Sequence, residues 1–429
     1  MKRRQFLKGL AALPLAEVIF SAEMRAAATG PNPQAANPDL ASGADPAWVR
    51  EVRRQMPVCL ELAYLQTASF GASPSIVVER VRELLAAQMK GPAASPYGEE
   101  LDEAENSCRP LLAEALAAHP EEIALTHNAT EGINIVLWSI DWKSGDEIVI
   151  GNHEHPALMM PCYNLRDRFG VRYREAAVDV GEDVVANVLA QLSPRTRLVA
   201  MSHVSRRNGR AVPVRALADE LHRRGIRLLL DAAQGAGNVA FDFAASGCDY
   251  YSFSGHKWLL GPKGTGGLLV RRQLLARTPV SFTGAHAQDS SDSSGNFQWH
   301  PDSRRYEYGT RAQFNFGGLA EVLRWRNSIG PAKIYQRIQD LSLQAAKAVR
   351  ESGKFQLVSP VADGERSGIV VLRLPEGFSA ATLAKKLEES DRIVVSPLEN
   401  PRDLRASLHF HNTWSEFELL MARLNRYCA

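Results

Sequence analysis

Net charge is the first thing this chain lacks. Fifty lysines and arginines stand against 48 aspartates and glutamates, for a formal charge of +2. That balance excludes a bulk electrostatic footprint for nucleic acid. Cysteine is scarce too. Cys59, Cys108, Cys162, Cys248 and Cys428 form no Cys-x-x-Cys pair and show no metal-ligand spacing. Five is an odd number, so one stays unpaired unless a bridge joins two chains, and Cys248 reads as a small core residue rather than a nucleophile. The N-terminal apolar run, Gly9 to Phe20, is too short to cross a bilayer and carries Glu17. At 429 residues and 45% hydrophobic content the chain can bury a large core, and it exceeds the usual size of one domain.

What is present centres on one lysine. Tyr251-Ser-Phe-Ser-Gly-His-Lys257 runs into a glycine-rich segment ending at Gly267, and upstream an apolar run from Ile226 to Leu230 ends on Asp231. An acid at the end of a buried strand, with a lysine soon after in a small-residue loop, points to pyridoxal 5'-phosphate (PLP). That cofactor needs an amine for its Schiff base and an anion to keep its pyridine nitrogen protonated. Ser-Phe-Ser-Gly-His-Lys with an upstream Asp-Ala-Ala-Gln resembles the class V aminotransferases of PLP fold type I, a family that includes cysteine desulfurases and isopenicillin N epimerase-like proteins. The resemblance implies that Lys257 is the Schiff-base lysine and Asp231 the pyridine partner. It also assigns Gln234 to the ring phenolate oxygen, and Ser254 and His256 to the phosphate cup.

Other segments fall in the family's order. Ile123 to Asn134 reads as a strand, a tight turn and a helix start, which is a ready phosphate site. Asn128-Ala-Thr-Glu-Gly resembles the phosphate-cup motif, assigning the Ala129 amide and Thr130 to the phosphate; an ordinary N-cap is the alternative. After the strand Asp146 to Ile150, the resemblance gives His155 a role stacking on the PLP ring and moving protons, as imidazole can near neutrality. A plain loop histidine or a metal fragment would look the same. The segment from Ser202 to Pro213 is similar to a family loop but carries Arg206 where a small polar residue is common. Arginine's usual exposure favours solvent for it; the alternative puts a positive charge in the substrate pocket. Arg305 to Arg311 resembles the Glu-x-Gly-Thr segment whose threonine reaches the other subunit's phosphate, so Thr310 implies a homodimer. Near the C-terminus, Asp403 to Trp414 is similar to the segment whose arginine grips the substrate α-carboxylate. Arg405 takes that role, suited by its two-pronged guanidinium, with Arg206 or Arg311 as fallbacks. His409 and His411 are expected on one face of the Arg405 strand.

The expected fold is α/β: a large domain with a mainly parallel sheet flanked by helices, plus a smaller α+β C-terminal domain. Boundaries fall at 1–28 for a signal segment, 29–46 for a linker and 47–75 for an N-terminal segment. The large PLP-binding domain follows at 76–319 and the small domain at 320–429. Periodicity predicts helices over 75–89, about 101–118, 216–224 and from about 320 onward, and a Ser-, Asp- and Gly-rich composition predicts a surface loop over 281–303 near the active-site mouth.

Lys2-Arg3-Arg4-Gln5-Phe6-Leu7-Lys8, the short apolar run and Ala26-Ala27-Ala28 resemble a twin-arginine export signal, implying a folded passenger and a periplasmic destination with no stable membrane anchor. The segment where cysteine desulfurases carry their nucleophile, 393–402, holds no cysteine. Persulfide chemistry is therefore not expected. Transamination, epimerisation or another Cα reaction on a small-molecule or peptide amine remains, by an aminotransferase-like enzyme. Its export makes it similar to the periplasmic enzymes that tailor a glutamate-derived group on pyoverdine-type siderophores. A PLP lyase or racemase on a free amino acid is the alternative, and a non-catalytic binding protein would not need Lys257, Asp231 and Arg405 together.

Overall fold

A computed structural model of the chain describes residues 45–429. The signal segment and all but the last two positions of the linker lie outside the described residues. The central element is a seven-stranded sheet: β1 (Ile123–Thr126), β2 (Glu147–Gly151), β3 (Arg172–Ala176), β4 (Thr196–Ser202), β5 (Arg227–Asp231), β6 (Tyr250–Ser254) and β7 (Gly266–Val270). Their order is β1-β7-β6-β5-β4-β2-β3, and only β7 runs against the rest. This is the α/β architecture expected from the alternating strand and helix patterns.

Alternation along each strand explains why both faces are covered. Leu228 and Leu230 of β5, with Val199 and Met201 of β4, join one apolar cluster. Their neighbours Leu229, Leu198 and Ala200 point the other way into a second. Side chains of a strand alternate between faces, so an unbroken apolar run must be roofed twice. The edge strand β3, Arg-Tyr-Arg-Glu-Ala, is mostly exposed and charged, which discourages edge pairing with another chain.

Helix α1 (Ser75–Met89) forms where periodicity placed it. The single helix expected over 101–118 is instead two, Tyr97–Asn106 and Cys108–Leu116. Pro110 has no N–H to give the Asn106 carbonyl that a continuous helix would offer it, but fits the first turn of a new one. Helices α2 (Ala129–Trp138) and α3 (Pro156–Phe169) follow β1 and β2. The long helix expected from about 320 starts earlier, as α4 (Gln313–Ile329), and runs through that position. It stops at Gly330, whose φ of +101° suits glycine, and Pro331 opens α5 (Pro331–Glu351). Within the segment expected as a surface loop, Gln288–Ser291 and Phe297–Trp299 pair as an exposed antiparallel hairpin.

A second, antiparallel sheet is built from β8 (Gln356–Leu357), β9 (Ile369–Arg373), β10 (Ser396–Pro397) and β11 (Asp403–Ser407), in the order β8-β9-β11-β10. The N-terminal segment ties it to the larger sheet. Ala63 and Tyr64 pair with Ile393 and Val394, and Gln66 bridges to Ser407. A few residues on, the Gly71 amide donates to the His256 carbonyl at 2.8 Å. A Cβ at Gly71 would lie 2.0 Å from the Lys257 carbonyl oxygen, so only glycine lets this segment pass so close to the lysine loop.

Candidate active site

Open parallel sheets place their sites beyond the carboxyl ends of their strands, and these ends supply most of the candidate residues here. β1 leads to Ala129 and Thr130, β2 to His155, β4 to Arg206, β5 ends on Asp231, and β6 runs through Ser254 to Lys257. All of them, with Gln234, His256 and Arg405, line one cavity of about 720 Å³. Ala68 to Phe70 and Ser396 to Glu399 add to its wall.

Asp231 is buried, and one of its oxygens accepts from the Ala233 amide at 2.9 Å. Burial pushes its carboxyl above the ordinary value, while the Lys257 and His155 charges pull it down. Lys257 moves the opposite way: burial lowers its ammonium's pKa, Asp231 resists, and Arg405 and Arg206 lower it further. A desolvated lysine beside two guanidiniums is biased toward the neutral amine, the nucleophilic form.

At the other end Asn128 caps α2 by accepting from the Glu131 amide at 3.0 Å. The Ala129 amide, expected to face a phosphate, donates instead to Ser254 Oγ at 3.1 Å. The first turn packs tightly on β6, where a Cβ at Gly132 would lie 2.2 Å from Ser252 Oγ. Thr130 is exposed beside Ser254 in the cavity wall. His256 Nδ1 is buried with no hydrogen-bond partner among the described residues, and burial with the charges of Lys257 and Lys263 pushes this imidazole down to about 4. A dianion at this helix N-terminus would supply an acceptor for that nitrogen.

His155 is the N-cap of α3, and its Nδ1 accepts from the Ala157 amide at 3.1 Å. The neutral ring therefore carries its proton on Nε2. Burial, then Lys257 and Arg206, lower its pKa. Gln234 is held on both sides of its amide: Nε2 donates to the Ala68 carbonyl at 2.9 Å, and Oε1 accepts from Trp258 Nε1 at 2.8 Å. An indole N–H can only donate, so Trp258 fixes which end of the amide is oxygen. One Nε2 hydrogen remains for a ring oxygen.

Arg405 sits on β11, 4% exposed, yet its partners are neutral. One amino group donates to Ser69 Oγ at 2.8 Å and approaches Gln66 Oε1 at 3.5 Å; the other reaches the Arg206 carbonyl at 3.4 Å. Its Nε is buried with no hydrogen-bond partner among the described residues. Burial and then Arg206 push the guanidinium down to about 10. A buried cation with no carboxylate on it is a receptor for one.

Several placements differ from the sequence reading. Arg206 is not in solvent: its side chain is 17% exposed, lines the cavity and pairs with Glu399. Arg311 is no fallback clamp, because it pairs with Glu105 and with Glu307 at 2.9 Å, outside the cavity. Thr310 is exposed and also outside it, 3.4 Å from His286 Nε2. His409 and His411 lie beyond β11 rather than on it, both fully buried, with His409 Nε2 on the Trp258 carbonyl at 2.8 Å. Sequence reading gave no role to Gln66, Ser69, Trp258 or Glu399; the stretch Tyr64 to Pro74 resembles the family's opening segment past the active-site mouth, but that resemblance assigns nothing to Gln66 or Ser69 individually. Glu154 was missed as well. It accepts from the Ser202 amide at 2.9 Å and Ser202 Oγ at 2.7 Å, and burial, helped by Asp231, pushes it up to about 8.

The aminotransferase class-V family profile matches residues 63–420. The chain belongs to that family. It is 29% identical over 392 residues to isopenicillin N epimerase of Amycolatopsis lactamdurans, covering 88% of this chain and 98% of the relative. A cysteine desulfurase of Klebsiella pneumoniae is 30% identical over 404 residues, covering 88% and 98%. Among solved structures, a C-DES variant with glycine covalently linked to its PLP cofactor superposes with a TM-score of 0.82 at 28% identity, covering 87% of this chain and 98% of that one. The cystine C-S lyase C-DES in complex with its product cysteine persulfide gives 0.81 at 28%, covering 86% and 99%.

The class V family is PLP-dependent, and the residues of this cavity fit the cofactor. Lys257 offers the amine, buried Asp231 the anion, and the unpartnered His256 nitrogen with Thr130 and Ser254 a phosphate end. Bound there, PLP supplies an electrophilic carbon for an amine and a ring that accepts electrons from Cα.

Proposed function

We propose that this class V enzyme acts in aminotransferase fashion on the Cα of an amino compound that carries a carboxylate. The observation that carries the reading is Arg405, a buried guanidinium without a carboxylate partner, in the same cavity as Lys257 and Asp231. Arg405 would orient the carboxylate and Lys257, freed as a neutral amine, would take the Cα proton. Asp231 would hold the opposing charge, and Gln234 would donate to the ring oxygen.

Sulfur transfer through an enzyme thiolate has no support. All five cysteines are buried and none lines the cavity. Burial pushes Cys59, Cys162 and Cys248 up to about 12, leaving almost no thiolate at neutral pH. Epimerisation is the second reading. It is favoured by His155, a second titratable base in the cavity, and by the two isopenicillin N epimerases among the relatives.

The reading extends to an exported homodimer completed by Thr310 of each subunit, and to a glutamate-derived group of a pyoverdine-type siderophore as substrate. The paired Arg3-Arg4 segment supports the export, and Thr310, exposed outside its own chain's cavity, supports a role toward a partner subunit. The test is to incubate the holoenzyme with single enantiomers of candidate amino acids and peptides and resolve products by mass spectrometry. A keto product supports transamination and a changed Cα configuration supports epimerisation. Unchanged substrate across a panel that includes the siderophore peptide defeats both.

A further inference from the structure

Two guanidiniums, not one, face the substrate end of the cavity. Arg206 is presented by a rigid turn: the Ser205 amide donates to the Arg210 carbonyl and the Gly209 amide to the Ser205 carbonyl, each at 2.8 Å. His153 Nδ1 lies 3.0 Å from Ser205 Oγ, holding the turn from below. Opposite, Glu399 is offered by the turn between β10 and β11, closed by the Leu398 amide on the Asp403 carbonyl at 3.0 Å. The Glu399 carboxylate bonds one Arg206 amino group and lies 3.7 Å from Arg207 Nε. Arg206 Nε is buried with no hydrogen-bond partner among the described residues.

We propose that Arg206 is the docking site for a second acidic group on the substrate, with Glu399 standing in for that group in the free enzyme. The substrate is then an amino compound with two carboxylates, or a carboxylate and another anion. Arg405 takes the one beside the reacting carbon and Arg206 the distal one. This rests on the function proposed above and adds the side-chain class.

Electrostatics chooses the acid over a cation. A cationic side chain seeking Glu399 would have to displace Arg206, adding a third positive charge beside Arg206 and Arg405 with the same single carboxylate to share. An incoming carboxylate needs only to displace Glu399. That residue is half exposed, with a side-chain exposure of 48%, and keeps Arg207 as a partner while it moves toward water. The exchange costs little desolvation, because one carboxylate replaces another on the same guanidinium. It gains a pair of hydrogen bonds if the newcomer also reaches the unpartnered Nε.

The experiment titrates the holoenzyme with glutamate and with aspartate, each against its own amide, in both enantiomers. The change in cofactor absorption gives Kd. Glutamine and asparagine match the acids in shape, so the ratio of Kd values reports the distal charge alone. The acid should bind at least about tenfold more tightly than its amide, on the scale of a partly buried ion pair. Arg206→Gln should cut that ratio about tenfold, Arg206→Lys should restore part of it, and Glu399→Gln should raise it by removing the competing carboxylate. Equal binding of acid and amide, a ratio indifferent to Arg206→Gln, or tighter binding of ornithine than of glutamate would overturn the proposal. If no α-amino acid changes the absorption at all, the reading of Arg405 as a carboxylate clamp fails first, and this proposal with it.

Discussion

Replacing Arg405 by glutamine should separate function from stability, and the two effects should have opposite signs. The guanidinium is 4% exposed and touches only neutral oxygens, from Ser69, Gln66 and Arg206. Burial, with Arg206 adding to it, pushes a group that is ordinarily always charged down to about 10, which reflects how poorly the folded chain solvates it. A substrate carboxylate is the partner that would repair this, so losing Arg405 should cost about 3 kcal/mol of binding, or roughly a hundredfold in Kd. The folded protein, relieved of an unpaired buried cation, should melt no lower than the parent and could gain stability, as residues kept for binding often cost it. Two assays decide the matter: Kd for an α-amino acid from the cofactor's absorption, and Tm by calorimetry on the same preparation. A weakened Kd with an undiminished Tm supports the clamp. A lowered Tm with an unchanged Kd would make Arg405 a structural residue held by Ser69, and the reasoning would fail.

Lys257→Ala should abolish turnover and the visible absorption of lysine-linked cofactor without changing the far-UV circular dichroism; retained activity would remove the centre of the site. Trp258→Phe deletes the donor that fixes the Gln234 amide, so the cofactor's absorption maximum should shift while its bond to Lys257 persists, and an unshifted spectrum would show that Gln234 is held without Trp258. Acid should destabilise the fold through buried neutral histidines. Burial pushes His203 down to about 4 and His411 to about 3, so between these values and the ordinary 6.5 only the unfolded chain takes the proton. Their contribution is complete above about pH 6.5 and falls with pH, by about 2 kcal/mol each by pH 5. His411, with neither ring nitrogen partnered among the described residues, is the one to replace: His411→Phe should flatten that slope in denaturant titrations at pH 7 and pH 5.

The parts of the site that were legible in sequence are those carried by strand ends. An apolar run such as Ile226 to Leu230 must be a buried strand, so the polar residue ending it, Asp231, must sit at the sheet's rim. Thr130, His155, Ser254 and Lys257 were assigned by their resemblance to the family's motifs, and they lie at or just past the ends of their strands. Illegible residues act through contacts distant in the chain. Ser69 meets Arg405 across 336 positions and Glu399 meets Arg206 across 193, and nothing local to either residue names its partner. Arg206 was misread because exposure statistics describe arginines at large. In this chain a carboxylate from another turn lets it stay inside. The break between Asn106 and Cys108 was readable in principle from Pro110; the apolar periodicity on either side hid it.

The pocket's charges explain one another once they are set side by side. Arg405 and Arg206 both lower the pKa of Lys257, and Arg206 also lowers those of Arg405 and His155. An enzyme that only needed a neutral lysine could obtain it by burial, at less electrostatic cost than two nearby guanidiniums. Their presence therefore has to answer to the substrate. The carboxylate that docks on Arg405 would offset a field that nothing but neutral oxygens meets in the free enzyme, and Lys257 would then regain basicity; on Arg206 a newcomer only takes the place of Glu399, so that field changes little. The same groups that make the lysine a nucleophile in the free enzyme would make it a better proton acceptor in the complex. This ordering puts reaction after binding, because the base is at full strength only when an anionic amine is in place. It also makes a sharp distinction available. With an amine that lacks the α-carboxylate the Arg405 field is not offset, so the pH at which turnover rises should lie lower than with the matching α-amino acid. A pH profile that is the same for the two would show that Arg405 does not act on Lys257 at all.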